Sequence, residues 1–250
     1  MPFINGQAID EDDYINESEA DPTPANDEGK AVKLEDDGKI SPFFIRNVVP
    51  IVRTYLHAAS PATWSKPDGL KYITVEVQAG GGGSASVSSG SGGMRPGAGA
   101  GGWAKKTISV DDLGATETIT IGDGGLGGTG AASDGNDGED SSFGAHCSAT
   151  KGIKSTTSSD SGGVGGTASG GDENRSGEAG WSTFAVSDPG KGGNGGHSVK
   201  GFGGKGGQNT AGGNGVGYGS GGGGPSDSDS ASRSGGNGAP GIVIVTEYYI

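Results

Sequence analysis

The chain has one cysteine, Cys147, in 250 residues. No intramolecular disulfide can therefore staple it, and no cysteine-based metal cluster can form within one copy. Aromatic residues make up 6% and hydrophobic residues 30%, too little to fill an ordinary globular core along most of the length. No apolar stretch approaches the ~20 residues of a membrane-spanning helix. The start, Met1-Pro-Phe-Ile-Asn-Gly-Gln, has neither the basic region nor the apolar run of an export signal, so a soluble chain without a conventional leader is expected. Clustered Lys and Arg are also missing: 17 basic residues face 30 acidic ones. Displacing counterions from a phosphate backbone needs such clusters, and nucleic acid is not an expected partner.

Glycine is abundant, with 57 residues, and it is not uniformly spread. Residues 1–40 carry twelve acids against Lys30, Lys33 and Lys39, with Pro22 and Pro24 breaking any long helix. This segment reads as an acidic, extended arm. Residues 41–79 then gather bulky apolar side chains, Phe43, Phe44, Ile45, Val49, Ile51, Tyr55 and Leu56, into an apolar base or interface. Trp64 to Leu70 reads as a turn. Residues 71–78 (KYITVEVQ) alternate apolar and polar residues as a half-buried strand does, and 103–110, 117–121 and 242–249 share that character.

Between about 80 and 241 a pattern recurs: GGLGGT at 124–129, GGVGGT at 162–167, GKGGNGG at 190–196, GFGGKGG at 201–207, GGNGVGYG at 212–219 and GGNG at 235–238. These blocks mostly place one side chain per three residues. Flexible linkers and low-complexity disorder are the ordinary readings of such composition, but neither has a reason to keep the period. A left-handed helix of the polyproline type has three residues per turn and no internal hydrogen bonds. With glycine on two of its three faces, neighbouring main chains can approach and bond to one another, which satisfies groups that would otherwise be stranded. Collagen is excluded, because the blocks are short and doubly glycine-rich and proline numbers 11. The calcium β-roll repeat fails as well, with Ala132 and Pro240 where its Asp should stand.

The expected fold class is therefore mostly irregular and β, with a polyglycine type II helix bundle or sandwich. A small β-containing N-terminal attachment domain is joined to it by the C-terminal strand. Domain boundaries are expected at 1–121 and 122–250, the first divided into 1–40, 41–79 and 80–121. The period fails in 139–160, 172–189, 208–211 and 225–234, which differ from one another. Long loops on a stiff scaffold commonly carry recognition, and Phe143, His146, Trp181 and Phe184 stand out there as candidate interface anchors.

Enzymatic chemistry is not expected. His57, His146 and His197 lack metal-ligand spacing, and His146 and Cys147 are neighbours that an extended chain points apart. Gly-x-Gly-x-x-Gly follows from composition alone, and Lys151, Lys191 and Lys205 lack the Walker spacing. No cofactor or metal is expected.

The glycine blocks from 190 onward, the closing GGNGAPGIVIVTEYY at 235–249, and residues 64–83 together resemble the adhesins at the distal end of the long tail fibres of T-even-type bacteriophages. The resemblance covers roughly 60–250, and the closing block is its most specific part. It implies a monomeric, virion-borne host-recognition protein, attached to the trimeric shaft tip and built on a polyglycine type II sandwich. Its variable segments would bind an outer-membrane protein or lipopolysaccharide of the host. Carried onto this chain, these segments centre on Phe143, Trp181, Asn209 and Ser228. The candidate receptor-binding residues are Phe143, His146, Trp181, Phe184, Asn209 and Arg233, and the fibre-attachment surface would draw on Phe43 to Leu56 and Trp64. A glycine-rich structural or ice-binding surface protein is the alternative of a different class.

Overall fold

The computed structural model describes residues 50–56, 60–90, 93–183 and 190–249, together with four short strands nearer the N-terminus. The chain divides into two compact units, residues 1–49 with Ile250, and residues 50–249. In the first unit β1 (Phe3–Ile4) pairs antiparallel with β2 (Gln7–Ala8), and β3 (Tyr14–Ile15) pairs parallel with β4 (Ala31–Val32).

The second unit begins with two five-stranded sheets. One has the order β13-β8-β7-β16-β5, built from β5 (Ile51–Leu56), β7 (Leu70–Gln78), β8 (Trp103–Ser109), β13 (Glu173–Arg175) and β16 (Ile242–Tyr249). The other has the order β12-β11-β10-β9-β6, built from β6 (Ala62–Ser65), β9 (Thr116–Thr120), β10 (Ser141–Phe143), β11 (Cys147–Ala149) and β12 (Ala168–Ser169). A short 3-10 turn, Val110–Asp112, joins β8 to β9. The alternation along 71–78 and 242–249 does what period-two patterning predicts: Ile73, Val75 and Val77 of β7 and Val243 and Val245 of β16 face one buried core with Trp64, Ile108, Ile119 and Phe143. Burying each of these side chains contributes about 1.5–3 kcal/mol.

A charged group sits inside this sandwich. Glu247 of β16 is fully buried, and its Oε1 accepts hydrogen bonds from Arg53 Nε of β5 at 2.5 Å and from Trp64 Nε1 of β6 at 2.7 Å, while Tyr249 Oη donates to Oε2 at 2.8 Å. Trp64 and Glu247 belong to opposite sheets, so this bond clamps the two together. Trp64 therefore serves the core: it is 1% exposed, and its place on an attachment surface is corrected accordingly. The sequence between 64 and 70, expected as a turn, is partly β6, whose tryptophan needs both an apolar surrounding and a partner for its N–H.

From the ends of the sheets the chain continues as twelve extended segments among the described residues. Three are interior (79–87, 93–102 and 219–227), and nine surround them in chain order (121–130, 133–140, 150–157, 161–167, 176–183, 190–197, 203–208, 211–215 and 233–241). Their main chains bond to one another in rotation. The N–H groups of Ala79, Gly80 and Gly81 go to Gly102, Glu139 and Ala239; those of Gly82, Gly83 and Ser84 go to Gly99, Asn136 and Gly236 of the same three neighbours. The carbonyls of Gly80, Gly81 and Gly82 accept from Gly152, Gly125 and Gly222 of three further segments. Each interior segment thus has six neighbours, and a full turn of bonding takes three residues.

Composition follows position. Interior segments are covered on every side and are glycine, alanine or serine nearly throughout, as in 80–83 and 221–224. A Cβ on Gly81 would lie 2.1 Å from the Ser220 carbonyl oxygen, and one on Gly224 would lie 1.8 Å from that of Arg95. Outer segments turn one face in three to solvent. That face carries the side chain, as at Asp123, Leu126 and Thr129, which are exposed while Gly125 and Gly128 are buried. The outward amides are satisfied by neighbouring Asn and Asp: Gly127 donates to Asn237 Oδ1 at 2.7 Å, Gly206 to Asn194 Oδ1 at 2.8 Å, and Lys151 and Lys154 to Asp140 and Asp137.

Eight strands of the two five-stranded sheets lead directly into or out of these segments, so sheets and segments form one continuous body. The expected boundary at 121 is replaced accordingly: 80–121 is no separate part of an attachment domain but contributes two of the three interior segments and β8 and β9.

Two outcomes test this architecture. Gly81→Ala is expected to lower stability by about 3 kcal/mol, the upper part of the overpacking range, since only main chain stands in the way. Leu126→Ala should stay within ~0.5 kcal/mol by thermal unfolding. For Glu247, burial pushes the carboxyl up, but the hydrogen bonds from Arg53, Trp64 and Tyr249 outweigh it and leave it below the usual carboxylate range. A depressed folded value contributes stability above the unfolded value that is lost as pH falls through the folded one. Wild-type stability should therefore drop in acid more steeply than that of Glu247→Gln, as measured by denaturant unfolding from neutral pH to about pH 3.

Candidate functional site

The direction of each segment determines where its connections emerge. Segments 79–87, 121–130, 150–157, 176–183, 203–208 and 219–227 run away from the sheets, and each is followed by one that returns. The described ends of these six pairs of segments, at 87–90 and 93, 130 and 133, 157 and 161, 183 and 190, 208 and 211, and 227 and 233, consequently gather at one end of the second unit, opposite the two sheets.

These tips are tied to one another by short polar side chains. Asp134 Oδ1 accepts from the Thr157 main chain at 2.8 Å and from its hydroxyl at 3.0 Å. The Thr157 N–H is the main cause that holds Asp134 below the usual carboxylate range against partial desolvation, with its hydroxyl, Lys154 and Arg95 adding to the effect. Ser133 N–H donates to Ser86 Oγ at 3.0 Å, Ser89 N–H to Ser232 Oγ at 3.2 Å, and Thr183 N–H to the Asp160 carbonyl at 3.1 Å. Asn209, with φ of 53°, uses its side-chain oxygen to accept from Ser228 N–H at 3.0 Å, while its own N–H donates to Ser226 Oγ at 2.8 Å. Asn tolerates this left-handed backbone better than most residues. Arg233 Nη2 reaches both oxygens of Asp229, at 3.0 and 2.8 Å.

Of the residues proposed for recognition, three stand at this end. Trp181 is 59% exposed, although its main chain is held by bonds to Asn194 and Gly97. Asn209 and Arg233 lie in the last two tips. Phe184 falls outside the described residues. Phe143 and His146 are corrected: they occupy the β10–β11 hairpin among the sheets, at the other end. Phe143 is fully buried, with its ring centroid 5.9 Å from that of Trp64 in edge-on contact. The segment around it pairs with β9 and folds back on itself, Phe143 opposite Cys147. His146 is a half-buried neighbour of Glu117, Nε2 to Oε1 at 3.2 Å. Cys147 is buried, and burial pushes its thiol up to about 11.

Of the residues proposed for attachment, Phe43, Phe44, Ile45 and Val49 lie outside the described residues. Ile51 and Leu56 are exposed on β5, the edge strand, and Tyr55 packs partly against the core. Exposed apolar groups not singled out in the sequence include Val164, Phe202 and Val216; the last two face each other across the antiparallel pair of β14 (Gly201–Phe202) and β15 (Val216–Gly217). Among the described residues no group of three or more His, Cys, Asp or Glu could hold a metal ion.

No curated protein matches the chain. The model of the glycine-rich domain matches residues 57–248, which span all twelve segments and both sheets apart from the edge strand β5. On that match over most of its length, the chain belongs to the glycine-rich domain family.

Proposed function

We propose that this chain is the adhesin at the tip of a bacteriophage long tail fibre, and that it binds a bacterial outer-membrane protein or lipopolysaccharide reversibly. The observation that carries the reading is the gathering of the far ends of all six pairs of segments at one end of a body whose opposite end is a β-sandwich. In this reading the twelve segments are polyglycine type II helices. The support is their rotation of hydrogen bonding every three residues, which matches a helix of three residues per turn with outward-pointing amides. Each ordered glycine costs ~0.5–1 kcal/mol more backbone entropy than alanine would, and each amide bond returns a net ~0.5–1.5 kcal/mol. Such a lattice is favourable when its pairing is nearly complete, and nearly complete pairing also makes it stiff.

Stiffness is what recognition gains. Tips already cross-linked by Asn209, Asp134 and Ser133 lose little conformational freedom on contact, so more of the interaction energy appears as affinity. An exposed tryptophan beside them supplies a large contact area of the kind that dominates interfaces. The partner at the other end is the trimeric fibre shaft, and exposed Ile51 and Leu56 on the edge strand β5 are the described candidates for that contact. No step of this mechanism makes or breaks a covalent bond.

Virions carrying Trp181→Ala with Phe184→Ala should assemble complete fibres yet adsorb to host cells about thirtyfold less well, as loss of a ~2 kcal/mol hot spot requires. Undiminished adsorption by intact virions would refute the assignment. Phe143→Ala, by contrast, should cost about 3–5 kcal/mol of stability and change adsorption only through loss of folded protein.

A further inference from the structure

Next to the tip at 208–211 the surface of the second unit opens into a cleft of about 430 Å³ between three consecutive outer segments, 190–197, 203–208 and 211–215. This size falls in the range that holds a small ligand. The cleft is lined by Lys191, Lys205, Gln208, Thr210 and Ala211, and by the main chain of Gly206, Gly207 and Gly213. Lys191 and Gln208 are bridged through their main chains, and Gly213 N–H donates to the Lys205 carbonyl at 2.8 Å, so the backbone carrying both lysines is set by the lattice.

The protein's 30 acids outnumber its 17 bases, and the lysines on the outer segment 150–157 are paired, Lys151 with Asp137 and Lys154 with Asp134. Lys191 and Lys205 have no carboxylate within ion-pair reach among the described residues. Two uncompensated ammonium groups at one cleft favour an anion. The lining has no aromatic side chain, so it offers nothing for a nucleobase to stack on. It has instead the donors and acceptors of an amide and a hydroxyl, and three glycines whose main chain, lacking Cβ atoms, a saturated ring can approach closely. A polyhydroxylated ring bearing one negative group fits all three features.

We infer that this cleft is a binding site for an anionic saccharide, with Lys191 and Lys205 on its phosphate or carboxylate, Gln208 and Thr210 on ring hydroxyls, and the main chain of Gly206, Gly207 and Gly213 against the ring. The inference rests on the adhesin reading and deepens it, because it gives the receptor contact a chemical class. Lys191 and Lys205 bind the charge as ammonium groups on flexible stems, so the attraction weakens with ionic strength.

The test is a titration of the isotope-labelled full chain with glucose 1-phosphate, glucuronate, glucose and inorganic phosphate, read at the main-chain amides of Gly206, Gly207 and Gly213. Saturable shifts with glucose 1-phosphate or glucuronate, about tenfold weaker with glucose, are expected. The tighter of the two charged sugars identifies phosphate or carboxylate as the recognised group. Lys191→Gln with Lys205→Gln should weaken the charged sugars about tenfold and leave glucose unchanged, whereas Lys151→Gln with Lys154→Gln should change neither. No shift with either charged sugar, or inorganic phosphate bound as tightly as both, overturns the inference. Cell adsorption separates it from the adhesin reading. A chain that adsorbs to bacteria without binding charged sugar retains that reading and loses this site; one that binds the sugar and adsorbs to no bacterial surface retains the site and loses the reading.

Discussion

Main chains in this protein lie so close that a single added carbon has nowhere to go, and that closeness governs the rest of the structure. At interior positions such as Gly81 and Gly224 an added Cβ would stand about 2 Å from a carbonyl oxygen of a neighbouring segment. Side chains normally separate packed elements and bury apolar surface between them. Here they are excluded from the interior of the lattice, and cohesion comes from amide-to-carbonyl bonds that rotate through successive neighbours every three residues. The scarcity of hydrophobic residues follows directly. Where side chains cannot enter, apolar residues have no interior place, and most of those present are used in the sandwich that begins and ends the lattice.

The two halves of the second unit solve one problem in two ways. In the sandwich, backbone groups pair along ladders in two directions, and the open faces are closed by Trp64, Phe143, Ile73 and their neighbours. In the lattice the backbone pairs all round, leaving no face to close. Strands β7 and β9 pass from the first regime to the second where their apolar alternation gives way to glycine, and the short strands β11 and β13 make the same passage. The clamp at Glu247 stands within the sandwich, where a buried carboxylate is tolerated because three donors from β5, β6 and β16 satisfy it. With that end anchored, every excursion of the lattice returns to it, and the connections at the opposite end are free to differ from one another in length and chemistry. This separation of a constant base from variable tips supports the adhesin reading, and it also places the unneutralised lysines at 191 and 205 near the tips.

Much of this architecture was legible in the order of residues. Period-two alternation located β7, β8, β9 and β16 to within a residue or two. The one-in-three spacing of side chains along 124–129, 162–167 and 201–207 marked segments with a single solvent-facing side. The runs 80–83 and 221–224 carried a further signal that is plain only afterwards: a segment without any side chain is one surrounded on all sides. The short strands β10 to β13 were not legible, because their two or three residues are too few to show a period and their partners lie far along the chain. Phe143 was misplaced for the same reason. Its local neighbours are polar and glycine-rich, and the apolar surface that buries it, Trp64 and the face of β9, is brought to it only by folding.

Sequence alone determined that the interior would be built of main chain, since so many glycines at a three-residue spacing leave no other material to pack. It also determined which face of each outer segment meets water. Tertiary structure decided which segments are neighbours, which end gathers the tips, and whether an aromatic residue in an irregular stretch is exposed like Trp181 or a core residue like Phe143. Those choices depend on hydrogen bonds between residues distant in the chain, and backbone groups are chemically the same at every position, so no local pattern records their partners.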